Sequence, residues 1–256
     1  MRKMYNNRLE RFPLPEFEKP DAKVVVSLTS YKHRIKSIIP TLKSLNSQSY
    51  KPDKIVLYIA YEDKEYVFPE INRYCEVRYC EDTLSYKKFN GFWDFPDCYV
   101  ATADDDLIYD EEWLKTLLQA SQLSPTCVAA HNTFLLEHNS GEYNYGGLVT
   151  RAVNRISLEG RVKIYVMTGA GVLIQPGTAE KITELKDAWK YCKYCDEKAL
   201  TILLAEKNIP VVATSMHSEP HHKEAYKDEK SLWNMYNCKN QKQRWNECKE
   251  FIKIVH

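Results

Sequence analysis

The chain has 256 residues, of which 44% are hydrophobic and 28% are charged, and its formal net charge is +1. This composition excludes a disordered chain, and the length suits one large α/β domain or two small ones. The near-neutral charge gives no sign of a nucleic-acid partner. No apolar run is long enough to span a membrane, and the N-terminus lacks the apolar core of a signal peptide. We therefore expect a globular, cytoplasmic protein.

Strand-sized apolar runs alternate with helical patterns through the first half of the chain. After a polar, proline-bearing lead-in at 1–22, the sequence predicts strands at 23–28, 54–60, 75–79 and 99–103 and helices near 38–45 and 87–93. Valine-rich and aromatic runs favour strands, and apolar residues at helical spacing favour helices. This alternation predicts an α/β fold with a mixed, mainly parallel sheet and helices on its faces.

Three consecutive acids, Asp104, Asp105 and Asp106, follow the fourth predicted strand, and a helix is predicted to begin at Trp113. Adjacent carboxylates repel one another, and their charge is costly unless it is paired or bound to a cation. Oxygen ligands suit Mg²⁺ or Mn²⁺, and magnesium usually takes one or two protein carboxylates together with substrate phosphates. The triplet therefore predicts a site for a divalent cation and a phosphorylated ligand. The alternative is a solvated acidic turn that complements the dipole of the next helix.

Two more polar clusters follow predicted strands. Residues 29–34 (TSYKHR) come after the first strand, and Glu62 and Asp63 come after the second. Ligands of such sheets bind outside the carboxyl ends of the strands. We therefore expect these clusters to converge with the acid triplet at one edge of the sheet.

The second half of the chain predicts further strands and an acid-led helix. Strands are predicted at 126–131, 163–167, 172–175 and 211–214, with a turn-rich, aromatic excursion at 138–147 and a helical extension at 223–256. Asp196 and Glu197 precede a leucine-rich helix face. Residues 168–171 (TGAG) lie between two strands, where the glycines permit close approach of a ligand or an ordinary hairpin turn. Both halves are expected to share one sheet in a single domain at 23–222.

The eight cysteines, in a chain without a signal peptide, favour free thiols over a disulfide framework. Cys192 and Cys195 form a C-x-x-C pair, but no second pair follows at a zinc-binding spacing. We interpret the two as packing or surface thiols rather than as a zinc or redox site.

Several segments, taken in order, resemble the family 2-like inverting glycosyltransferases with the GT-A fold. They are VVVSLTSYKHR (24–34), KIVLYIA (54–60), SYKK (85–88), ATADDDLIYDEEWL (101–114), MTGAGVLIQP (167–176) and CDEKALTILLAEKNIPVV (195–212). The resemblance spans about residues 23–222 and implies a nucleotide-binding half at about 23–115 and an acceptor-side half at about 116–222. The chain looks most like the small bacterial enzymes that build capsule, lipopolysaccharide and other surface polysaccharides.

The resemblance implies a UDP-sugar as donor and Mn²⁺ or Mg²⁺ as cofactor, since this family uses a nucleotide sugar and a divalent cation. The D-x-D motif would place Asp104 and Asp106 at the metal, with Asp104 also near the ribose. A two-acid register of Asp105 and Asp106 fits equally well. His222 would be a third, late metal ligand, chosen over the neighbouring histidines at 217 and 221.

The resemblance also assigns residues to the donor pocket. The loop after the first strand would line the nucleotide: Thr29, Ser30, Tyr31 and Arg34. Glu62 or Asp63 would bind the base. Lys87 or Lys88 would lie near the base or the diphosphate, although an exposed helix start explains one of them nearly as well. The glycine-bearing loop would border the donor sugar and the acceptor: Thr168, Gly169, Ala170 and Gly171.

An inverting transfer also needs a carboxylate that deprotonates the acceptor hydroxyl. The resemblance puts this base at Asp196 or Glu197. Glu197 stands where aspartate is usual in the family, which leaves the choice open. Both acids also suit the positive end of a helix dipole. The acceptor would be a glycan or a lipid-linked molecule, with peripheral contact at the inner face of the membrane as one option.

Two other functions use the same parts. A nucleotidyltransferase also binds nucleotide phosphates and metal with acids at a sheet edge, but no glycine-rich phosphate loop follows the first strand. The other alternative is a nucleotide-sugar- or carbohydrate-binding protein with a degenerate transferase fold. The intact acids at 104–106 and 196–197 argue against it, although fold alone does not decide between them.

Overall fold

The computed structural model describes residues 10–12, 14–139, 142–149, 153–156, 162–214, 221–222 and 247–255. The strands are β1 (Glu10–Phe12), β2 (Val24–Thr29), β3 (Lys54–Ala60), β4 (Glu76–Cys80), β5 (Tyr99–Ala103), β6 (Leu107–Ile108), β7 (Val128–Ala130), β8 (Thr133–Asn139), β9 (Glu142–Val149), β10 (Val153–Ile156), β11 (Val162–Val166), β12 (Val172–Ile174), β13 (Val211–Ala213) and β14 (His221–His222). The α-helices are α1 (Ile39–Asn46), α2 (Asn90–Asp94), α3 (Trp113–Ser121), α4 (Asp196–Glu206) and α5 (Lys249–Val255). Short 3₁₀ helices cover Ile35–Ser37, Tyr61–Tyr66, Pro69–Arg73, Leu84–Phe89, Ala179–Lys186 and Ala188–Lys190.

Nine of the described strands form one sheet in the order β1-β10-β13-β7-β12-β5-β2-β3-β4. The pairs β5/β2, β2/β3 and β3/β4 are parallel, as is β13/β7, whereas β12 runs antiparallel to both β5 and β7. The sheet is therefore mixed and mainly parallel in direction, and strands from both halves of the chain contribute to it. The predicted fold class and the predicted shared sheet are confirmed.

Alternating side chains of β2 show why this sheet is buried on both faces. Val24 and Val26 pack on one face, in the same cluster as the apolar residues of α1 and α3. Val25 packs on the opposite face, in the cluster that contains Phe92 of α2 and Leu200 of α4. Apolar side chains on both faces are typical of a parallel strand covered by helices on each side. Polar residues can then gather only at the ends of the strands.

A second, three-stranded antiparallel sheet has the order β11-β8-β9. The segment predicted as a turn-rich excursion at 138–147 lies mostly within it, because β8 and β9 pair with each other on both sides of the chain reversal. That prediction is corrected: most of the segment is β-strand. The hairpin alternative for 168–171 is also wrong, since β11 belongs to the small sheet and β12 to the large one.

Most other predicted elements are confirmed with small shifts of their ends. The helix predicted at 87–93 is a 3₁₀ helix that continues into α2. Within the predicted lead-in, β1 pairs antiparallel with β10 and extends the sheet, and α5 lies in the predicted C-terminal extension. The domain boundaries stay predictions. In the described parts of the chain, each helix is too short or too polar to cross a membrane.

The cysteines depart from the prediction at one pair. Cys192 and Cys248 are joined in a disulfide, so the expectation of thiols is wrong for these two. The described cysteines outside a disulfide are Cys75, Cys80, Cys98, Cys127 and Cys195. Cys195 is buried, which agrees with a packing role. The Cys192–Cys248 bond ties the segment before α4 to the turn that leads into α5.

Candidate active site

The carboxyl ends of β2, β3 and β5 bring three polar segments together. The loop after β2 contacts the acid triplet through Arg34, whose guanidinium lies 3.1 Å from Asp105 and 2.6 Å from Asp106. The same loop contacts the segment after β3, because the amide of Lys32 donates to the Asp63 carboxylate at 3.2 Å. The convergence expected from the sequence is therefore observed at this edge of the sheet.

Asp105 is the inward-facing acid of the triplet. Its carboxylate accepts hydrogen bonds from Ser30 Oγ at 2.5 Å and from Arg34 at 3.1 Å. Its backbone carbonyl accepts from Thr41 Oγ1 of α1 at 3.0 Å. The residue is only 6% exposed. Asp105 therefore holds the loop and α1 in place, while its assignment to the donor pocket and the register of Asp105 with Asp106 stay predictions.

Asp104 and Asp106 keep partly exposed carboxylates, with side chains 37% and 25% exposed. Burial raises the pKa of both acids, and the charge of a neighbouring carboxylate adds to the rise. Lys88 opposes this effect at Asp104, and Arg34 opposes it at Asp106. A cation bound between the two carboxylates would relieve their mutual repulsion.

Lys88 is a buried cation between two acids. Its Nζ lies 2.6 Å from Asp104 and 2.9 Å from Asp196. Burial alone would lower the pKa of Lys88, but the two carboxylates outweigh it and raise the pKa. Lys87 points elsewhere, with its Nζ 2.5 Å from Asp82. Both lysines are buried, so an exposed helix start is wrong for each, and the described contacts place Lys88 and not Lys87 at the acid triplet.

Tyr109 holds the glycine-bearing loop against Asp104. Its hydroxyl donates to the carbonyl of Gly169 at 2.7 Å and accepts from the amide of Asp104 at 2.7 Å. A Cβ atom at Gly169 would collide with the Asp104 carboxylate. The loop therefore comes as close to the acid triplet as a residue without a side chain allows.

Trp113 fixes the other end of this loop. Its Nε1 donates to the carbonyl of Ala170 at 2.7 Å, and a Cβ at Gly171, whose φ is +126°, would lie 2.5 Å from that nitrogen. His131 Nε2 lies 3.0 Å from the carbonyl of Trp113, and its Nδ1 contacts Thr214 Oγ1. Burial lowers the pKa of His131 to about 4, so this histidine is a neutral structural residue.

Asp196, the first residue of α4, is surrounded by donors. Its carboxylate accepts from Thr168 Oγ1 at 2.6 Å and from Ser85 Oγ at 2.9 Å, and it pairs with Lys88 at 2.9 Å. Burial opposes ionisation of Asp196, but the charge of Lys88 and the Thr168 hydrogen bond outweigh it and lower the pKa. A carboxylate engaged in this way is a weak base.

Glu197 differs from its neighbour. In the described part of the chain no hydrogen bond engages its carboxylate, and the side chain is half-buried. Burial, followed by the charge of Asp196, raises the pKa of Glu197 to about 7. A carboxylate with a pKa near neutrality is suited to accept a proton from a hydroxyl group. The geometry therefore favours Glu197 over Asp196 as the base.

The remaining donor-pocket residues are placed by short contacts around the β2 loop. Thr29 Oγ1 donates to a backbone carbonyl of β3 at 2.7 Å, and Tyr31 packs edge-on against His33 with ring centroids 5.7 Å apart. Asp63 is buried at 7% exposure, whereas Glu62 is exposed. Asp63 therefore takes part in the contact between the β2 loop and the segment after β3, and Glu62 does not.

The backbone brings His222 to the acid triplet. β14 pairs antiparallel with β6 so that His222 lies opposite Leu107, the residue after Asp106, while position 217 lies outside the described residues. Among the side chains that the structure describes, no three His, Cys, Asp or Glu residues form a group able to hold a metal ion. A cation here would therefore take one or two carboxylates and fill its other positions with phosphate oxygens or water.

Sequence reasoning missed the polar side chains that support this site. Thr102 Oγ1 donates to the carbonyl of Thr168 at 2.8 Å, and Ser85 and Tyr109 make the contacts described above. Ser85 is the first residue of the SYKK segment, and Tyr109 lies shortly after the acid triplet. Their positions in these motifs could have indicated that they belong to the site. Thr102 lies in the same 101–114 segment as Tyr109, within its predicted strand.

Comparison with known proteins gives solved structures only. No protein-family profile matches the chain, and no curated protein sequence matches it. S. aureus TarS, residues 1–349, is 12% identical, with 79% of this chain and 61% of that chain covered and a TM-score of 0.53. The TarS complex with UDP is 13% identical, with 77% of this chain and 59% of that chain covered and a TM-score of 0.53. The TarS complex with UDP-GlcNAc is 12% identical, with 77% of this chain and 57% of that chain covered and a TM-score of 0.52.

This similarity establishes the fold. The chain has a GT-A-like glycosyltransferase fold, in agreement with the resemblance of its motifs. It spans less than two thirds of the length of the TarS structures it matches. At such low identity, fold does not establish activity, and the function has to be argued from the site.

Proposed function

We propose that the protein is a glycosyltransferase that uses a nucleotide-sugar donor. One observation carries the proposal: at the carboxyl edge of a GT-A-like sheet, the acid triplet meets the acid pair at 196–197 through the buried ammonium of Lys88. Carboxylates able to hold a phosphate-bound cation are thus set beside a carboxylate able to accept a proton. That combination suits group transfer from a phosphorylated donor.

The donor is proposed to be a UDP-sugar. TarS, a structural neighbour, has been crystallised with UDP and with UDP-GlcNAc, and both proteins share the fold. In this chain, Thr29, Ser30, Tyr31 and Arg34 would line the nucleotide. The buried carboxylate of Asp63, fixed by the amide of Lys32, would hydrogen-bond the base.

Asp104 and Asp106 fit a divalent cation. Burial raises the pKa of both acids, and the charge of a neighbouring carboxylate adds to the rise. Hard oxygen ligands suit Mn²⁺ or Mg²⁺. His222 is proposed as a further ligand because its backbone lies opposite Leu107, directly after Asp106. When bound, the cation would neutralise the charge that develops on the leaving diphosphate. Arg34 and Lys88 would hold the two carboxylates in position.

Glu197 is proposed as the general base. It would take the proton from the acceptor hydroxyl while the sugar carbon loses its diphosphate, and attack from the opposite face would invert the anomeric centre. The loop at 168–171 would separate the donor sugar from the acceptor. Asp196 would hold the start of α4 through Lys88, Thr168 and Ser85.

The acceptor and the pathway are proposed from the motif resemblance. A glycan or lipid-linked acceptor in bacterial surface polysaccharide synthesis, such as capsule or lipopolysaccharide, is in keeping with it. So are a hexosyl donor and a cytoplasmic location at the inner face of the membrane. None of these depends on a single residue of the site.

A nucleotide panel tests the proposal. Thermal shift and calorimetry with UDP, GDP and CMP, each with Mn²⁺ and with chelator, should show metal-dependent stabilisation by UDP, because a ligand of the folded state raises the melting temperature. UDP release from a set of UDP-sugars would then identify the donor. No response to any nucleotide contradicts the proposal, and binding without UDP release under any condition would favour the binding-protein alternative.

A further inference from the structure

We infer that Lys88 is a positioning residue that ties the start of α4 to the acid triplet, and that it is not a ligand of the donor diphosphate. The inference rests on the proposed function for its kinetic consequences only. Its structural part, an ion bridge from Asp104 through Lys88 to Asp196, is testable without any activity.

The bridge consists of one ammonium group and two carboxylates. Lys88 Nζ lies 2.6 Å from Asp104 Oδ1 and 2.9 Å from Asp196 Oδ2, and the Lys88 side chain is 2% exposed. An ammonium group has three protons to donate, so two of them are directed at these acids. The two acids are 92 positions apart in the sequence (196 − 104), and Lys88 joins them across two different elements of the fold.

The backbone of Lys88 is fixed as firmly as its side chain. Ser27 Oγ of β2 donates to the Lys88 carbonyl at 2.5 Å, and a Cβ at Gly91 would lie 2.6 Å from that serine. The lysine is thus held from the centre of the sheet by its carbonyl and from the acids by its ammonium group. Such a residue is preorganised and has little freedom to move toward a ligand.

A diphosphate ligand would find this ammonium group poorly placed. Lys88 is enclosed by two carboxylates, so the three groups together carry a net charge of −1 when both acids are ionised. A phosphate approaching Lys88 would meet Asp104 and Asp196 first, and like charges repel. Breaking the bridge would also leave the buried carboxylate of Asp196 without its counter-ion, which is strongly unfavourable.

The bridge positions Glu197 through its neighbour. Asp196 also accepts from Thr168 and Ser85, so the first turn of α4 is fixed by contacts from two segments, the 3₁₀ helix at Leu84–Phe89 and the loop at 168–171. Glu197 follows directly on the chain, and the direction of its side chain depends on that turn. Loss of Lys88 should therefore displace the base relative to the donor-side acids, and small displacements of a reacting group lower rates strongly.

The first test is a double-mutant cycle on stability, with Lys88→Met, Asp196→Asn and the double variant compared by urea unfolding. Each single variant should lower the unfolding midpoint, and the double variant should lose less than the sum of the two, because the bridge is already broken by either change. Lys207→Met, which removes an exposed ion pair with Glu184, is the control and should shift the midpoint little. Additive losses would overturn the bridge.

The second test separates positioning from donor binding. With the donor identified by the panel, Lys88→Met should lower kcat in Mn²⁺ about 100-fold, while the affinity for UDP measured in chelator, where Asp104 has no cation to hold, changes little. Lys88→Arg should recover part of the lost kcat because it keeps the positive charge. A large loss of UDP affinity with an unchanged kcat would identify a diphosphate ligand and overturn the inference.

If Lys88→Met does not fold, Asp196→Asn carries the same test. It removes one arm of the bridge and leaves both Lys88 and Glu197 in the chain, so kcat should fall while UDP affinity is kept. A wild-type kcat for Asp196→Asn would contradict the inference. The urea cycle needs no donor, so it reports on the bridge even if the protein proves not to be a transferase.

Discussion

The acid triplet and the acid pair follow the same arrangement in two different parts of the fold. In the triplet, Asp105 is buried among protein donors, while Asp104 and Asp106 keep partly exposed carboxylates. In the pair, Asp196 accepts from three side chains, while no described side chain donates to Glu197. One acid of each cluster serves the structure, and its neighbour is available for chemistry.

The difference between the clusters lies in their counter-ions. Arg34 and Lys88 each contact a partly exposed acid of the triplet, whereas Glu197 has no comparable ion pair in the described part of the chain. Burial, followed by the charge of Asp196, raises the pKa of Glu197 to about 7, whereas Lys88 and Arg34, in direct contact, oppose the rise at Asp104 and Asp106. The triplet is therefore suited to hold a cation, and Glu197 is suited to exchange a proton.

Glu197→Gln should have the largest effect, because it removes the proposed proton acceptor and keeps the size of the side chain. Transfer, measured as UDP release, should fall about 100- to 10,000-fold, with UDP affinity unchanged by calorimetry. Glu180→Gln, at an exposed position, is the matched control. Normal transfer by Glu197→Gln would place the base elsewhere.

Asp106→Ala should abolish the effect of Mn²⁺ on donor binding. We expect UDP affinity in Mn²⁺ to fall about tenfold or more, which is about 1.4 kcal/mol, and affinity in chelator to stay as it is. Asp97→Ala, in an exposed loop, controls for the loss of one negative charge. An unchanged difference between Mn²⁺ and chelator would refute Asp106 as a ligand.

The pH dependence should follow Glu197, whose pKa is about 7. A base must be deprotonated, so kcat/KM should rise about tenfold per pH unit below 7 and level off above it. The folded state favours the protonated acid, so its contribution to stability is lost as the pH rises through 7. Glu197→Gln should therefore raise the melting temperature relative to wild type at pH 8 and not at pH 5. Equal shifts at both values would contradict the raised pKa.

Gly169→Ala should disturb the triplet by contact alone. The new methyl group collides with the Asp104 carboxylate, and overpacking of this kind typically costs about 1–3 kcal/mol. Both the melting temperature and the Mn²⁺-dependent affinity for UDP should fall. Gly177→Ala is the control: it has a positive φ of 75° but no atom within 4 Å of the added carbon, so it should lose stability without losing UDP affinity.

Asp63→Ala should have the smallest effect. It removes the carboxylate proposed to bind the base and frees the amide of Lys32, and a hydrogen bond of this kind is worth about 1 kcal/mol. UDP affinity should fall by that amount, while Glu62→Ala should leave it unchanged because that side chain is exposed. Equal losses of UDP affinity for Asp63→Ala and Glu62→Ala would contradict the assignment of Asp63, and not Glu62, to the base.

Local patterns predicted the sheet and the position of the acids well. The strands were predictable because their apolar runs are buried on both faces, and the triplet was predictable because it follows β5 directly. The 3₁₀ helices were not predicted, since a few residues with i→i+3 bonds give little periodicity. The β8–β9 pairing was missed because the glycines of this segment are typical of turns.

Which acids are held by protein donors and which are not could not be predicted. Ser30 reaches Asp105 across 75 positions, and Ser85 reaches Asp196 across 111 positions. Such contacts depend on how distant elements pack, and single-sequence patterns carry no information about them. The sequence therefore left Asp196 and Glu197 equivalent, and only their three-dimensional partners separate them.

The pairing of β14 with β6 provides a natural reporter of events at the triplet. This ladder is only two residues long on each side and begins directly after Asp106. Short ladders open by local fluctuation much more often than the core strands do, so their backbone amides exchange with solvent deuterium early. Any ligand that draws the triplet and β14 together should slow that exchange, and hydrogen–deuterium exchange of residues 107–108 and 221–222 would record occupancy of the site without any knowledge of the acceptor.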